Sequence, residues 1–258
     1  MADAGTYTDS LKLLTAKGLR FGTVLDLGCA DGHFYLQHLS LGLLAGAVPV
    51  NVDANAIYEE SLKAIRDTLG GSYLIAAVTD HVGDVELTLG SHPYWSSLLD
   101  QNAAYWQRIN KLHQGTAKVP AVTVDSLVRR FQLSPPFLLK LDIQGAELAA
   151  LKGARETLKD TELVICEIDL ADFHGLDRAM GESEFSLFDV TDMRRTSDGS
   201  LGWFYAVYLN RKKDGIRGRT LWDPALDQAV TDAQRKRREQ ILDYNARVLA
   251  DVRKARGV

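Results

Sequence analysis

Val24-Leu25-Asp26-Leu27-Gly28-Cys29-Ala30-Asp31-Gly32-His33-Phe34 is the stretch that decides the fold of this chain. An apolar run stops at Gly28, a glycine-spaced turn follows, and a helical pattern opens at Gly32, as in a nucleotide-cofactor cradle. Glycine lets the backbone turn sharply and approach a ligand that side chains would exclude, and the first free amides of the helix point into the turn. The next apolar run, Val48-Pro49-Val50-Asn51-Val52, ends on Asp53. A carboxylate at the tip of a second strand is placed to accept both hydroxyls of a ribose.

The turn has the form Asp-x-Gly-x-x-x-Gly, with Ala30 where a dinucleotide site carries its middle glycine. A pyrophosphate needs that glycine for close approach. S-adenosylmethionine has no phosphate; it carries a sulfonium and an amino-acid head, for which acidic groups near the turn are suitable company. The residues therefore favour S-adenosylmethionine over a nicotinamide dinucleotide. In this reading Asp26, Gly28, Cys29, Ala30, Asp31 and Gly32 hold the methionine portion, Asp53 and Ala54 the ribose, and Val78, Thr79 and Asp80 the adenine edge.

Outward from the turn, strands and helices alternate. Strands are predicted at 24–27, 48–53, 73–78, 137–142 and 163–168, and helices at 32–44, 58–69, 126–131 and 147–158. The strand cores are apolar runs rather than alternating patterns, as burial on both faces of a parallel sheet requires. The expected fold is a doubly wound α/β domain. Leu11 and Leu14 predict a short N-terminal helix stopped by Gly18. Residues 185–191 and 203–209 predict an antiparallel hairpin across the turn Ser197-Asp198-Gly199-Ser200. The run 85–89 and the aromatics Tyr94, Trp95, Tyr105 and Trp106 fall outside the alternation; the aromatics are candidates for an acceptor-binding lid. In the tail, apolar positions at Ile241, Tyr244, Val248, Leu249 and Val252 have helical spacing, for packing on the domain or on a second copy of the chain. The boundaries expected are 1–22 for the N-terminal helix, 23–211 for the cofactor domain and 212–258 for a helical extension.

With 258 residues, 46% of them hydrophobic and 25% charged, the chain can bury one substantial core. A net charge of −4 argues against a nucleic-acid-binding surface, although Arg235-Lys236-Arg237-Arg238 forms a local basic run. No apolar stretch is long enough to span a bilayer and the first residues do not read as a secretory signal, so a cytoplasmic protein is expected. Cys29 and Cys166 read as small buried thiols rather than as a disulfide.

Leu138-Leu139-Lys140-Leu141-Asp142-Ile143-Gln144-Gly145-Ala146-Glu147, followed by Leu151-Lys152-Gly153-Ala154, closely resembles the signature of the FkbM family of S-adenosylmethionine-dependent methyltransferases. The resemblance extends over roughly residues 23–211 and includes the cofactor turn, Asp53, Thr123-Val124-Asp125-Ser126-Leu127, Ile165-Cys166-Glu167 and Tyr205-Ala206-Val207-Tyr208-Leu209-Asn210. It implies a Rossmann-like class I methyltransferase fold whose mostly parallel sheet carries a reversed seventh strand. It also implies O-methylation of a hydroxyl on a sugar, glycolipid or natural product. Cys29 and Ala30 depart from the Ala and Asn usual in the family's turn.

A protonated hydroxyl is a poor nucleophile and needs a base or a metal. In an open α/β sheet the reacting groups gather beyond the carboxyl ends of the strands. Asp142 and Glu167 are predicted there, with His174 as a further candidate base. Asp142, Glu167 and Asp169 are candidates for an oxygen-ligand magnesium site. The purely structural alternatives are that Asp142 caps the next helix and that Glu147 pairs with Lys140. The rival functions are methylation of RNA or another nucleic acid, and cofactor binding without chemistry.

Overall fold

The computed structural model describes residues 5–90, 96–98, 113–216, 240 and 243. Residues up to Ile216 form one compact unit, and Arg217–Val258 a second. The N-terminal helix α1 (Tyr7–Ala16) belongs to the first unit. In the second unit Gln240 and Asp243 are helical, and the rest of the predicted tail helix lies outside the described residues. No helix among the described residues is long and apolar enough to cross a membrane.

The first unit is built on a seven-stranded sheet. β1 (Thr23–Leu27) lies between β2 (Val48–Asp53) and β7 (Phe137–Leu141), parallel to both. β3 (Ser72–Ile75) extends the parallel array beyond β2, and β8 (Thr161–Asp169) extends it beyond β7. The hairpin of β9 (Phe185–Arg195) and β10 (Leu201–Asn210) completes the sheet. β10 inserts antiparallel beside β8 and leaves β9 at the edge, giving the order β3-β2-β1-β7-β8-β10-β9. The mostly parallel doubly wound sheet with an antiparallel terminal hairpin is as expected.

Strand residues point alternately to opposite faces. Leu25 and Leu27, Leu139 and Leu141, and Val164, Cys166 and Ile168 enter one core. Val24, Leu138, Leu163 and Ile165 enter the other, where Leu11 and Leu14 of α1 and Phe34 and Tyr35 of α2 (His33–Ser40) cover them. Both faces are dry, which is why the strands read as unbroken apolar runs. α1 starts at a capping box in which Thr6 and Asp9 satisfy each other's backbone amides. The same device opens α4 (Val124–Phe131), through Thr123 and Ser126. Cys29 and Cys166 are buried free thiols.

Four boundaries differ from the sequence reading. The single strand predicted at 73–78 is two, because the chain leaves the main sheet at Ala76, whose N–H donates to the Asp53 carbonyl, before β4 (Ala77–Val78) begins. β4 joins a three-stranded sheet with β5 (Gly83–Gly90) and β6 (His113–Val122). β6 was not predicted, since Gly115, Lys118 and Pro120 interrupt its apolar pattern. α2 ends at Ser40, ahead of a turn through Gly42 in the left-handed region. α5 (Glu147–Lys152) stops at Gly153, whose missing side chain lets it pack on the Thr79 carbonyl. α3 (Glu59–Leu69) and α6 (Phe173–Glu182) complete the unit.

Candidate active site

The carboxyl ends of β1, β2, β7 and β8 open into a cavity of about 470 Å³, within the range of small-molecule sites. Gly28, Ala30, Asp53, Ala54 and Val78 line one part, and Asp142, Gln144, Glu167, Trp203 and Tyr205 another. Of the residues singled out in the sequence, Gly28, Ala30, Asp53, Ala54, Val78, Asp142 and Glu167 share this space.

The first turn is clamped from both sides. Gly28 and Cys29 donate from their backbones to the Val52 carbonyl, at 2.9 and 3.2 Å, and Asp142 N donates to the Leu27 carbonyl at 3.0 Å. Gly28 is left-handed (φ 72°), and a Cβ there would overlap the Asp142 carbonyl oxygen. The glycine is thus required by the close approach of β7, before any ligand is considered. Gly32 is also left-handed, with Ile65 where a side chain would go.

Asp53 projects into the cavity while its two oxygens accept from Ala30 N and Asn55 N, each at 2.8 Å. Burial pushes its carboxyl above the usual range. These amide bonds hold the carboxyl in one orientation and bring Ala30, in the left-handed region at φ 49°, over the strand tip. The remaining lone pairs are free to accept from a ligand's hydroxyls.

Other predicted cofactor residues lie elsewhere. Asp26 is fully buried behind the turn, is not among the residues lining the cavity, and faces Lys140, with Oδ1 3.4 Å from Nζ. Cys29 packs into a small core with Tyr58, Leu62 and Ile65. Asp31 accepts from His33 N at 3.2 Å and pairs with its Nδ1 at 2.9 Å. Thr79 is buried, and Asp80 turns outward to His81 Nδ1 at 2.9 Å. Cys29, Asp31, Gly32, Thr79 and Asp80 are not among the residues lining the cavity.

At the Asp142 end of the cavity the structure assembles four residues from three elements. Tyr205 Oη donates to Asp142 Oδ2 at 2.6 Å. Gln144 Nε2 bridges the two carboxyls, 3.0 Å from Asp142 Oδ1 and 2.8 Å from Glu167 Oε2. Behind them Lys140 Nζ lies 3.3 Å from Asp142 Oδ2 and donates to the Gly28 carbonyl at 3.2 Å. Burial works to discharge that amine, but Asp142 and Asp26 outweigh it and hold Lys140 protonated. The lysine and the hydrogen bonds likewise outweigh burial at Asp142 and keep its carboxyl ionised. Burial and the Asp142 charge push the Glu167 carboxyl well above its usual range.

Glu147 does not pair with Lys140. Its carboxyl accepts from Ile143 N and Gly145 N, so it holds the 142–146 loop, and burial raises it to about 7. His174 is exposed on α6 beside Arg178 (3.1 Å) and does not line the cavity, so the structure does not bring it to Asp142. The magnesium expectation also fails to find its donor set: among the described residues no three His, Cys, Asp or Glu side chains are placed to share an ion. Gln144 and Lys140 nitrogens face Asp142, and Asp169 accepts from Ala171 N at 2.9 Å. Tyr94, Trp95, Tyr105 and Trp106 lie outside the described residues.

The sequence reading missed Gln144 and Tyr205 as site residues. Gln144 stands in the quoted 138–147 motif, and its left-handed backbone (φ 54°) turns it back over Asp142. Tyr205 had no local signal; β10 delivers it opposite Glu167 in register. The Tyr7 ring of α1 packs tilted against Tyr205 with ring centroids 4.8 Å apart, and the Tyr7 backbone N–H donates to Asp192 at 2.9 Å.

A mostly parallel sheet with an inserted reversed strand, whose carboxyl ends open into one cavity, defines a Rossmann-like fold. The chain belongs to the FkbM methyltransferase family: the model of the methyltransferase FkbM domain matches residues 32–196. Hexuronic acid methyltransferase AglP of Haloferax volcanii is 28% identical over 90 residues, which are 34% of this chain and 37% of that relative. A crystal structure of methyltransferase FkbM from Methylobacillus flagellatus KT superposes with a TM-score of 0.46 at 17% identity, covering 79% of this chain and 48% of that one. Sp1610 of Streptococcus pneumoniae, solved in complex with S-adenosyl-L-methionine, gives 0.44 at 11% identity, covering 92% and 90%.

Proposed function

We propose that the protein is an S-adenosylmethionine-dependent O-methyltransferase acting on a sugar hydroxyl. The observation that carries this reading is the single cavity with Asp53 at one part and the Asp142, Gln144, Glu167 and Tyr205 cluster at another. The match to a hexuronic acid methyltransferase supports a sugar acceptor.

Asp53 would accept from the ribose hydroxyls, the Gly28 turn would lie against the methionine portion, and Ala77 and Val78 would flank the adenine. When bound, the cofactor supplies an electrophilic methyl group on a positive sulfur. The protein's own task is to align a hydroxyl oxygen with that carbon and to accept its proton. Asp142 suits it: Lys140 and Tyr205 keep it anionic and fix its direction. A hydroxyl grows strongly acidic as its oxygen takes a third bond, so a carboxylate of low basicity suffices. Gln144 and Tyr205 position Asp142, and Gln144 ties it to Glu167.

Asp53→Ala should weaken S-adenosylmethionine binding by about 1.5–3 kcal/mol, roughly 10- to 100-fold. Calorimetry on the folded variant checks it, and unaltered affinity would remove Asp53 from the site. Asp142→Asn should lower methyl transfer by about a hundredfold or more while leaving cofactor affinity nearly unchanged. Labelled-methyl transfer into a cell extract reads this and identifies the acceptor; wild-type transfer rates in the variant would return Asp142 to a structural role.

A further inference from the structure

Strand register fixes where the Tyr205 backbone stands, opposite Glu167 on β8 and Thr191 on β9, and leaves its ring to turn about its side-chain bonds. The 2.6 Å bond from its Oη to Asp142 Oδ2 requires one orientation of that ring, and ordering it costs side-chain entropy that packing must offset. Tyr7 of α1 supplies such packing, with ring centroids 4.8 Å apart and a tilt of 55°, a geometry at which aromatic pairs attract. Tyr7 also packs against Phe34, at 5.9 Å, and the Phe34 ring lies 5.9 Å from the Lys140 amine that pairs with Asp142. Tyr7 thus touches Tyr205 directly and the surroundings of Lys140 through Phe34.

An irregularity in the sheet beside Tyr205 holds Tyr7 in place. From Trp203 to Tyr205 β10 advances two residues, while their partners on β9 run three, from Arg194 to Thr191, so Asp192 and Met193 share one place in the ladder. A bulge of this kind bends a strand and re-aims a side chain. Asp192 is in the left-handed region (φ 51°); its N–H donates to the Gly5 carbonyl at 3.4 Å, and its Oδ2 accepts from the Tyr7 N–H at 2.9 Å. Further along α1, Thr8 Oγ1 and His38 Nε2 share a hydrogen bond of 2.9 Å, and Ser10 Oγ donates to Asp189 Oδ2 at 2.6 Å. Leu11 and Leu14 bury the helix against the core; the polar contacts fix its rotation and its first turn, and with them the Tyr7 ring.

From this we infer that Tyr7 is a positioning residue: the β9 bulge anchors α1 so that the Tyr7 ring holds Tyr205 in its hydrogen bond with Asp142. The inference rests on the reading of Asp142 as the proton acceptor.

The test follows the Tyr205 side chain by NMR of the full chain labelled at tyrosine Cζ, with the resonance assigned through Tyr205→Phe. Asp142→Ala gives the position of that resonance without the hydrogen bond. Tyr7→Ala and Asp192→Ala should each move it toward that position, and Tyr7→Phe, which keeps the ring, should leave it in place. Labelled-methyl transfer into a cell extract should fall roughly two- to tenfold in Tyr7→Ala, the factor that the energy of an aromatic pair corresponds to, with S-adenosylmethionine affinity by calorimetry unchanged. In a Tyr205→Phe background Tyr7→Ala should cost no further activity, whereas a general loss of fold would act in both backgrounds. Should Tyr7→Ala not fold, Tyr7→Leu fills the space without the flat ring and is read in the same way. An unmoved Tyr205 resonance in Tyr7→Ala, a Tyr7→Phe variant as impaired as Tyr7→Ala, or an equal loss in the Tyr205→Phe background would each overturn the inference. Asp142→Asn in the same assay tests the parent reading: undiminished transfer there rejects Asp142 as proton acceptor and the inference with it, and lost transfer there beside an unaffected Tyr7→Ala rejects the inference alone.

Discussion

Lys140→Met is expected to destabilise the protein by about 3–5 kcal/mol, the usual loss when one partner of a buried ion pair is removed. The lysine side chain is 4% exposed and stands between Asp26, which is wholly buried, and Asp142. Both Asp26 oxygens lack a hydrogen bond among the described residues, so the amine is what compensates that charge. Asp142 keeps Tyr205 and Gln144 in the variant, whereas Asp26 keeps nothing comparable. Burial already raises the Asp26 carboxyl, and loss of Lys140 would raise it further. A carboxyl whose folded pKa is raised costs stability as the pH rises through that value. The deficit of the variant should therefore shrink toward acidic pH, where Asp26 is protonated. Asp26→Asn combined with Lys140→Met should recover a large part of the loss, since no buried charge is then unpaired. Denaturant unfolding of the three variants checks this; a single-variant loss below about 1 kcal/mol, the scale of an exposed pair, would show that water reaches Asp26.

Gly28→Ala should cost about 3 kcal/mol, combining roughly 1–2 kcal/mol for a left-handed L-residue with a comparable overpacking cost. The added carbon would strike the Asp142 carbonyl oxygen, a backbone atom on a central strand end that cannot swing aside as a side chain could. Relief requires parting β1 from β7, and the Asp142 N to Leu27 carbonyl bond would then lengthen. The same displacement moves Asp142 relative to Asp53, so cofactor affinity and methyl transfer should both fall in whatever fraction stays folded. Gly42→Ala is a useful comparison: it is equally left-handed but has open space around it, so it should carry the backbone cost alone. If thermal melting found the two variants equally stable, the close approach at Gly28 would have no energetic weight.

Much of the site was legible because its signals are local. A glycine turn between an apolar run and a helix, and a carboxylate ending the next run, lie within a few residues of the structures they produce. Asp53 and Asp142 were found in that way, and both line the cavity. Asp26, Asp31 and Asp80 carried the same residue-type signal, yet the structure gives them protein partners: a buried amine and two neighbouring histidines. Residue type says that a carboxyl will need a partner, and it does not say which one.

The sequence by itself determined the alternation of elements, the parallel dry sheet, the terminal hairpin and the place of the glycine turn, because periodicity and turn chemistry act over short stretches of chain. Only the tertiary structure decided which polar groups meet. Tyr205 reaches Asp142 across 63 residues, Lys140 reaches Gly28 across 112, and Tyr7 reaches Asp192 across 185. Those meetings depend on strand register and on the order in which distant strands pair, and a one-residue shift would turn each side chain to the opposite face of the sheet.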